Sequence, residues 1–161
     1  MPRKIEASHN RTRVGIYCEP QFSRLVPRAC LRSVALKTLK LGGGPIPCSL
    51  SLAFVGDSLI RNLNREYRAL DRTTDVLSFS SEDLDPEYGI VHIGDVVVSV
   101  QAADRQAAHV HRELSQELEM LVAHGVLHLL GFDHNSRAKR TRMLGLQGKI
   151  LRSSDHSDGP R

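Results

Sequence analysis

The sequence predicts an α+β fold, a small mixed β-sheet packed with helices, on three observations. Short alternating runs and longer helical runs follow one another irregularly along the chain, not in strict βαβ repetition. The segment from Met120 to Leu130 is apolar nearly all round, as a helix at the centre of a domain must be. A length of 161 residues, with 40% hydrophobic and 25% charged side chains, supplies one ordinary core and argues against disordered, collagen-like and membrane classes.

Arg13–Cys18 (RVGIYC) alternates in the manner of a strand. Arg24–Lys40, with apolar Leu25, Ala29, Leu36 and Leu39, reads as a helix stopped by Gly42, Gly43, Gly44 and Pro45. Ser49–Val55 (SLSLAFV) is the second strand, Asp57 is placed as the N-cap of a helix running to about Tyr67, and Asp75–Ser80 is the third strand. An acidic loop, SEDLDPEYG, is broken by Pro86 and Gly89 before a fourth strand at Ile90–Val98. Ala102–His109, Leu114–Leu130 and Arg137–Leu151 read as helices. Residues 1–12 and 153–161 are polar and without periodicity, and are read as flexible ends of a single domain over 13–152.

The 22 Lys and Arg against 18 Asp and Glu give a mild basic bias that suits a polyanionic partner. Cys18, Cys30 and Cys48 are odd in number and form no CxxC pair, so they read as reduced thiols filling the core in a reducing compartment. No apolar run approaches the roughly 20 residues that span a bilayer, and the basic N-terminal stretch has no apolar segment after it. The expectation is a cytoplasmic protein with no membrane partner.

The informative stretch is HGVLHLLGFDH, His124 to His134. Helical residues four apart share a face, so His124 and His128 aim two imidazoles at one point. Gly131 can take the left-handed conformation that ends a helix and returns the chain, which brings His134 to the same point. Three imidazoles with an open fourth position are the ligand pattern of a catalytic zinc site, whereas structural zinc sites close all four positions, usually with Cys included. Imidazole also suits nickel, copper and cobalt, so the expectation is one divalent ion, zinc first, with Ni2+ or another metal as the alternative. Without a metal, burying the three rings would leave unpaired nitrogens at a cost of about 1 to 3 kcal/mol each. His9, His92, His109, His111 and His156 read as surface or incidental. The HExxH motif of zincin proteases has the same spacing of histidines, but Gly125 stands where their glutamate base would be, which puts peptide hydrolysis second.

HGVLHLLGFDH resembles the signature of the YbeY family of single-strand-specific, metal-dependent endoribonucleases, which act in ribosomal RNA maturation and ribosome quality control. LNREYRALDRTTDVLSFS, Leu63 to Ser80, resembles the family's LN-x-x-YR block followed by T-D-V-L-S-F, and Gly94 and Asp95 of IGDVVVS give a weaker third match. Together they run from about Leu52 to His134, in order and correctly spaced. The resemblance implies a small α+β domain whose central helix carries the HGxLH motif, with His124, His128 and His134 as metal ligands. It also implies Arg68 as the functional arginine beside them, and partners that include single-stranded and ribosomal RNA and the ribosome or its proteins. The family's usual proline after the LSF run is Ser80 here, which leaves the following loop open.

Within that reading the candidate catalytic residues are Arg68, His124 and Asp133. A guanidinium at Arg68 matches two phosphate oxygens at once. Asp133 either orients an imidazole or handles a proton, or else caps the GFDH turn. Attack by hydroxide or by the 2′-hydroxyl stays open. Glu113 and Glu117 lie on the histidine stripe but read as a solvated first helical turn. With 4% aromatic residues a base-stacking platform is poorly supplied, so contact with the RNA backbone by Arg and Lys is the default. The competing readings are a zincin-like metalloprotease and a non-catalytic ribosome-associated factor whose metal is structural.

Overall fold

The computed structural model describes residues 11–154. Residues 1–10 and 155–161, which make up most of the ends read as flexible, lie outside the described residues, and His9 and His156 with them. Four strands, β1 (Arg13–Cys18), β2 (Ser49–Val55), β3 (Val76–Ser80) and β4 (His92–Ser99), form one sheet in the order β1-β2-β4-β3. β1, β2 and β4 run parallel, and β3 lies antiparallel to β4 at one edge, so the sheet is mixed as expected. The helices are α1 (Arg28–Leu41), α2 (Asp57–Arg68), α3 (Val100–His109), α4 (Leu114–Leu129) and α5 (Arg137–Ser154). None of the described helices is long and apolar enough to cross a membrane.

Strand alternation divides the apolar residues between two unequal layers. Leu50, Leu52 and Phe54 of β2 and Val96 and Val98 of β4 face the main core, where they meet Leu31, Val34 and Leu39 of α1 and Leu118, Leu121, Val122 and Val126 of α4. On the opposite face, among the described residues, α2 packs through Ile60 and Leu63 against Val55, Leu77, Val97 and Phe79. α4 contacts α1, α3, α5, β3 and β4, which makes it the axis of the domain. Its burial follows from its composition, because an apolar helix surface is favoured wherever every side can leave water. Cys18 and Cys48 are buried, and no disulfide joins the three thiols. Burial pushes the Cys18 and Cys48 thiols up, so they act as small apolar side chains.

Two sequence expectations change. The helix expected from Arg24 begins at Arg28, because Pro20–Phe22 forms a 3-10 turn and Pro27 stands at the N-cap. Its buried face is Leu31, Val34, Ala35, Thr38 and Leu39, while Leu25, Ala29 and Leu36 are exposed. Thr38 is tolerated there because its hydroxyl donates to the Val34 carbonyl at 2.7 Å. Asp57 is not an N-cap. Gly56 holds that position, and the Asp57 carboxylate turns toward α3, accepting from Ser99 Oγ at 2.8 Å and from Arg105 at 2.7 and 3.2 Å.

The loop after β3 is tied back to the sheet without the proline. Ser81 N donates to the Ile93 carbonyl, His92 N donates to the Asp83 carbonyl, and Leu84 bridges Val91. β4 carries a bulge between His92 and Asp95 opposite Ser49 and Ser51 of β2. Gly94 sits in it at φ 142°, and an added Cβ would fall 2.2 Å from the Phe79 carbonyl oxygen, so only glycine fits.

The Arg105 hydrogen bond, reinforced by Ser99, holds the Asp57 carboxyl below its ordinary 3.8 despite partial burial. A carboxyl depressed in the folded state stabilises fully above its unfolded value and stops doing so as pH falls through the folded one. Asp57→Asn is therefore expected to lower the urea-unfolding free energy at pH 7, with the gap to wild type closing below about pH 4. A gap of the same size at pH 3 would remove the charge from the explanation.

Candidate metal centre

α4 starts at a reciprocal capping box. The Glu113 carboxylate accepts from the backbone of Gln116, and the Gln116 side chain accepts from Glu113 N at 3.1 Å. It ends at Leu130 in a Schellman arrangement, with Gly131 N donating to the His128 carbonyl at 3.0 Å and Phe132 N to the Leu127 carbonyl at 3.1 Å. Gly131 has φ 89°, the left-handed value expected of it, and the chain folds back across the end of the helix. His134 thereby returns to the two helical histidines.

The ligating atoms of His124, His128 and His134 lie within 4.8 Å of one another. His124 and His128 face each other Nε2 to Nε2 at 3.1 Å, and the ring of His134 lies 5.2 Å from that of His124 and 4.8 Å from that of His128. Burial, and then the like charge of neighbouring rings, pushes the imidazoles of His124 and His128 down, so both are neutral with lone pairs available. Nitrogen-only donors this close, with no thiol or carboxylate in the group among the described residues, fit an ion that accepts imidazole. His134 is exposed, so the site opens to solvent on its side.

Gln147 escaped the sequence reading. Its Oε1 lies 3.3 Å from His124 Nδ1, and it is buried. It belongs to the inward stripe of α5 with Met143 and Ile150, and a lone polar residue in an apolar i, i+4, i+7 stripe is the signal that points to it. An acceptor at Nδ1 fixes the tautomer that leaves Nε2 free to ligate.

Gly125 explains why the zincin glutamate is absent. A Cβ there would lie 2.4 Å from Val96 Cγ1 and 3.3 Å from Ser78 Oγ, because α4 presses against β4 and β3 at this residue. The position faces the sheet and has no room for a general base. Ser78 Oγ donates to the Gly125 carbonyl at 2.9 Å, pinning β3 to the histidine helix.

Arg68, the last residue of α2, donates from Nη2 to the Ser78 carbonyl at 3.3 Å and contributes to lowering the His128 imidazole. It is exposed, and Asp71 is paired with Arg61 at 2.8 Å and Arg65 at 3.9 Å. The LN-x-x-YR residues each have a place. Leu63 packs on the sheet, Asn64 Nδ2 donates to the Arg72 carbonyl at 3.0 Å, and Tyr67 meets Phe79 edge-on at 5.3 Å. Asp133 lies in the His134 loop, where its carboxylate accepts from Asn135 N at 3.0 Å and from Lys139 Nζ at 3.5 Å. The first of these bonds, with Lys139, holds its pKa down.

Other candidates fall elsewhere. Asp95 pairs with His92 at 3.0 Å, and His92 Nδ1 lies 2.9 Å from Ser49 Oγ, so His92 ties β4 to β2. Glu113 is the cap. Glu117 is not solvated as expected but buried, within 3.8 Å of Arg112, and burial raises its carboxyl.

A family profile described as Endoribonuclease YbeY matches residues 19–155. An endoribonuclease YbeY of Synechococcus sp. is 45% identical over 119 residues, covering 70% of this chain and 73% of that protein. One from Heliobacterium modesticaldum is 41% identical over 134 residues, covering 76% and 80%. The solution structure of a Thermotoga maritima protein superposes with a TM-score of 0.56 at 25% identity, covering 92% of this chain and 99% of that one.

Two substitutions test this geometry. Gln147→Leu keeps the volume but removes the acceptor, and is expected to weaken zinc binding by roughly ten- to a hundredfold in a chelator competition. Unchanged affinity would exclude Gln147 from supporting the site. Gly125→Ala is expected to cost about 1 to 3 kcal/mol in chemical denaturation, since Val96 must move.

Proposed function

The chain belongs to the YbeY family of endoribonucleases, and on that premise we propose that it is a metal-dependent, single-strand-specific endoribonuclease. We assign it to ribosomal RNA maturation and ribosome quality control in the cytoplasm, with the ribosome or its proteins as partners. The supporting observation is the convergence of His124, His128 and His134 within 4.8 Å, in a group that among the described residues has no fourth protein ligand.

In this reading the three histidines hold one divalent ion, zinc first. Such an ion supplies Lewis-acid polarisation of a phosphoryl oxygen and activates water near neutral pH. The protein's own contribution is arrangement. His124 and His128 are kept neutral by burial, and Gln147 sets the orientation of the His124 ring. Arg68 reaches an anion beside them from the edge of β3, where its planar donors fit two phosphate oxygens and gain strength as charge develops. Asp133 holds the His134 loop through Asn135 and Lys139, which favours a positioning role for it over proton transfer.

The zincin reading lacks its base, since the space at Gly125 is taken by Val96. Metal-loaded protein is expected to cut single-stranded RNA and leave casein intact, with cleavage lost on chelation and in His124→Ala. Arg68→Ala is expected to reduce kcat/KM by about a hundred- to a thousandfold, and Arg68→Lys to recover little, because a point charge lacks the fork. Casein hydrolysis would favour the protease, and neither activity would leave a binding factor. Cleavage of single-stranded DNA would assign the attack to hydroxide, since DNA lacks the 2′-hydroxyl.

A further inference from the structure

Among the described elements the largest set of like charges lies on α5, ahead of the four basic residues of α1. α5 carries Arg137, Lys139, Arg140, Arg142, Lys149 and Arg152 and no acidic residue. Without these six, the 22 Lys and Arg of the chain fall to 16, against 18 Asp and Glu, so the rest of the molecule is slightly acidic. All six side chains are exposed, and among the described residues none of Arg137, Arg140, Lys149 and Arg152 is paired with a carboxylate. A solvated helix of no function would ordinarily mix signs, because like charges one turn apart repel and opposite ones stabilise. Arg137 and Arg140 lie three apart, and so do Lys139 and Arg142 and, further on, Lys149 and Arg152. The repulsion goes uncompensated within the helix.

This helix is also joined to the histidine centre at three points. Gln147 reaches His124, Lys139 reaches Asp133, and the Arg142 guanidinium lies 5.3 Å over the Phe132 ring. Both Phe132 and Asp133 belong to the turn that carries His134, and α5 begins three residues after that ligand. Its 18 residues span about 27 Å at the usual rise of 1.5 Å per residue, and the helix passes the centre at Gln147.

We propose that α5 is a phosphate-backbone binding surface, along which single-stranded nucleic acid is held as it leaves the metal centre. The proposal rests on the endoribonuclease reading for the identity of its ligand. Backbone contact by separate cations needs no base recognition, in keeping with the scarcity of aromatic side chains. Lys139 and Arg142 are partly committed to the His134 turn, which leaves Arg137, Arg140, Lys149 and Arg152 for the strand.

The test uses full-length protein with chelator present to stop cleavage, and fluorescein-labelled 20-nucleotide single strands of RNA and of DNA. Binding is followed by anisotropy from 50 to 300 mM salt. The triple variant Arg137→Gln, Arg140→Gln, Lys149→Gln is compared with wild type and with a control triple, Arg11→Gln, Arg24→Gln, Lys40→Gln, which removes the same charge elsewhere. The α5 triple is expected to raise Kd about tenfold or more for both strands, and to lower the slope of log K against log salt by about 0.7 for each phosphate no longer neutralised. Circular dichroism confirms that each variant is folded, and single substitutions replace any triple that is not. An unchanged slope, an equal loss in the control triple, or a loss for RNA alone would overturn the proposal. If wild type binds and cuts RNA while the α5 triple is unaltered, only this surface falls; if wild type neither binds nor cuts, the endoribonuclease reading falls with it.

Discussion

The seating of α4 on the sheet is the contact on which the rest of the molecule depends. Gly125 brings the helix against Val96, the Ser78 hydroxyl meets the Gly125 carbonyl, and buried side chains leave the helix in every other direction. A helix held on all sides cannot roll, and the 100° step between successive residues then fixes where His124 and His128 point. The histidine cluster is a by-product of core packing at one glycine. The same contact has a chemical consequence, because the residue after the first histidine faces the sheet and has no room for a side chain that could act as a base.

The third histidine depends on a different device. His134 is placed by chain reversal at Gly131, by the Schellman bonds to Leu127 and His128, and by Asp133 bridging to Asn135 and Lys139. Two of the histidines are thus set by a buried helix and one by an exposed turn, and α5 leans on both through Gln147 and through Lys139 and Arg142. Burial pushes the helical imidazoles toward the neutral form.

Much of this is legible in the sequence. The strands β1 and β2 have the bounds that alternation predicts, and the left-handed turn at Gly131 follows from a glycine at the end of an apolar helix. What escapes does so for physical reasons. The face of α1 is misphased because Thr38, buried by bonding its own backbone, looks polar, while exposed Leu25 and Leu36 look like core. Asp57 has the composition of a cap but a better partner in Arg105, 48 residues away, and no local pattern encodes that distance. Gln147 stands out as the polar member of an apolar stripe, but its partner His124 is 23 residues away and no local pattern names it.

β3 lies at the border of the sheet, with β4 on one side only, and the Arg68 guanidinium covers the Ser78 carbonyl there. An open border invites another chain to add a strand, and a charged side chain lying over it discourages this. One guanidinium thus occupies a carbonyl that a strand from a second molecule would need, and the margin of the sheet is closed to edge-to-edge pairing at that point.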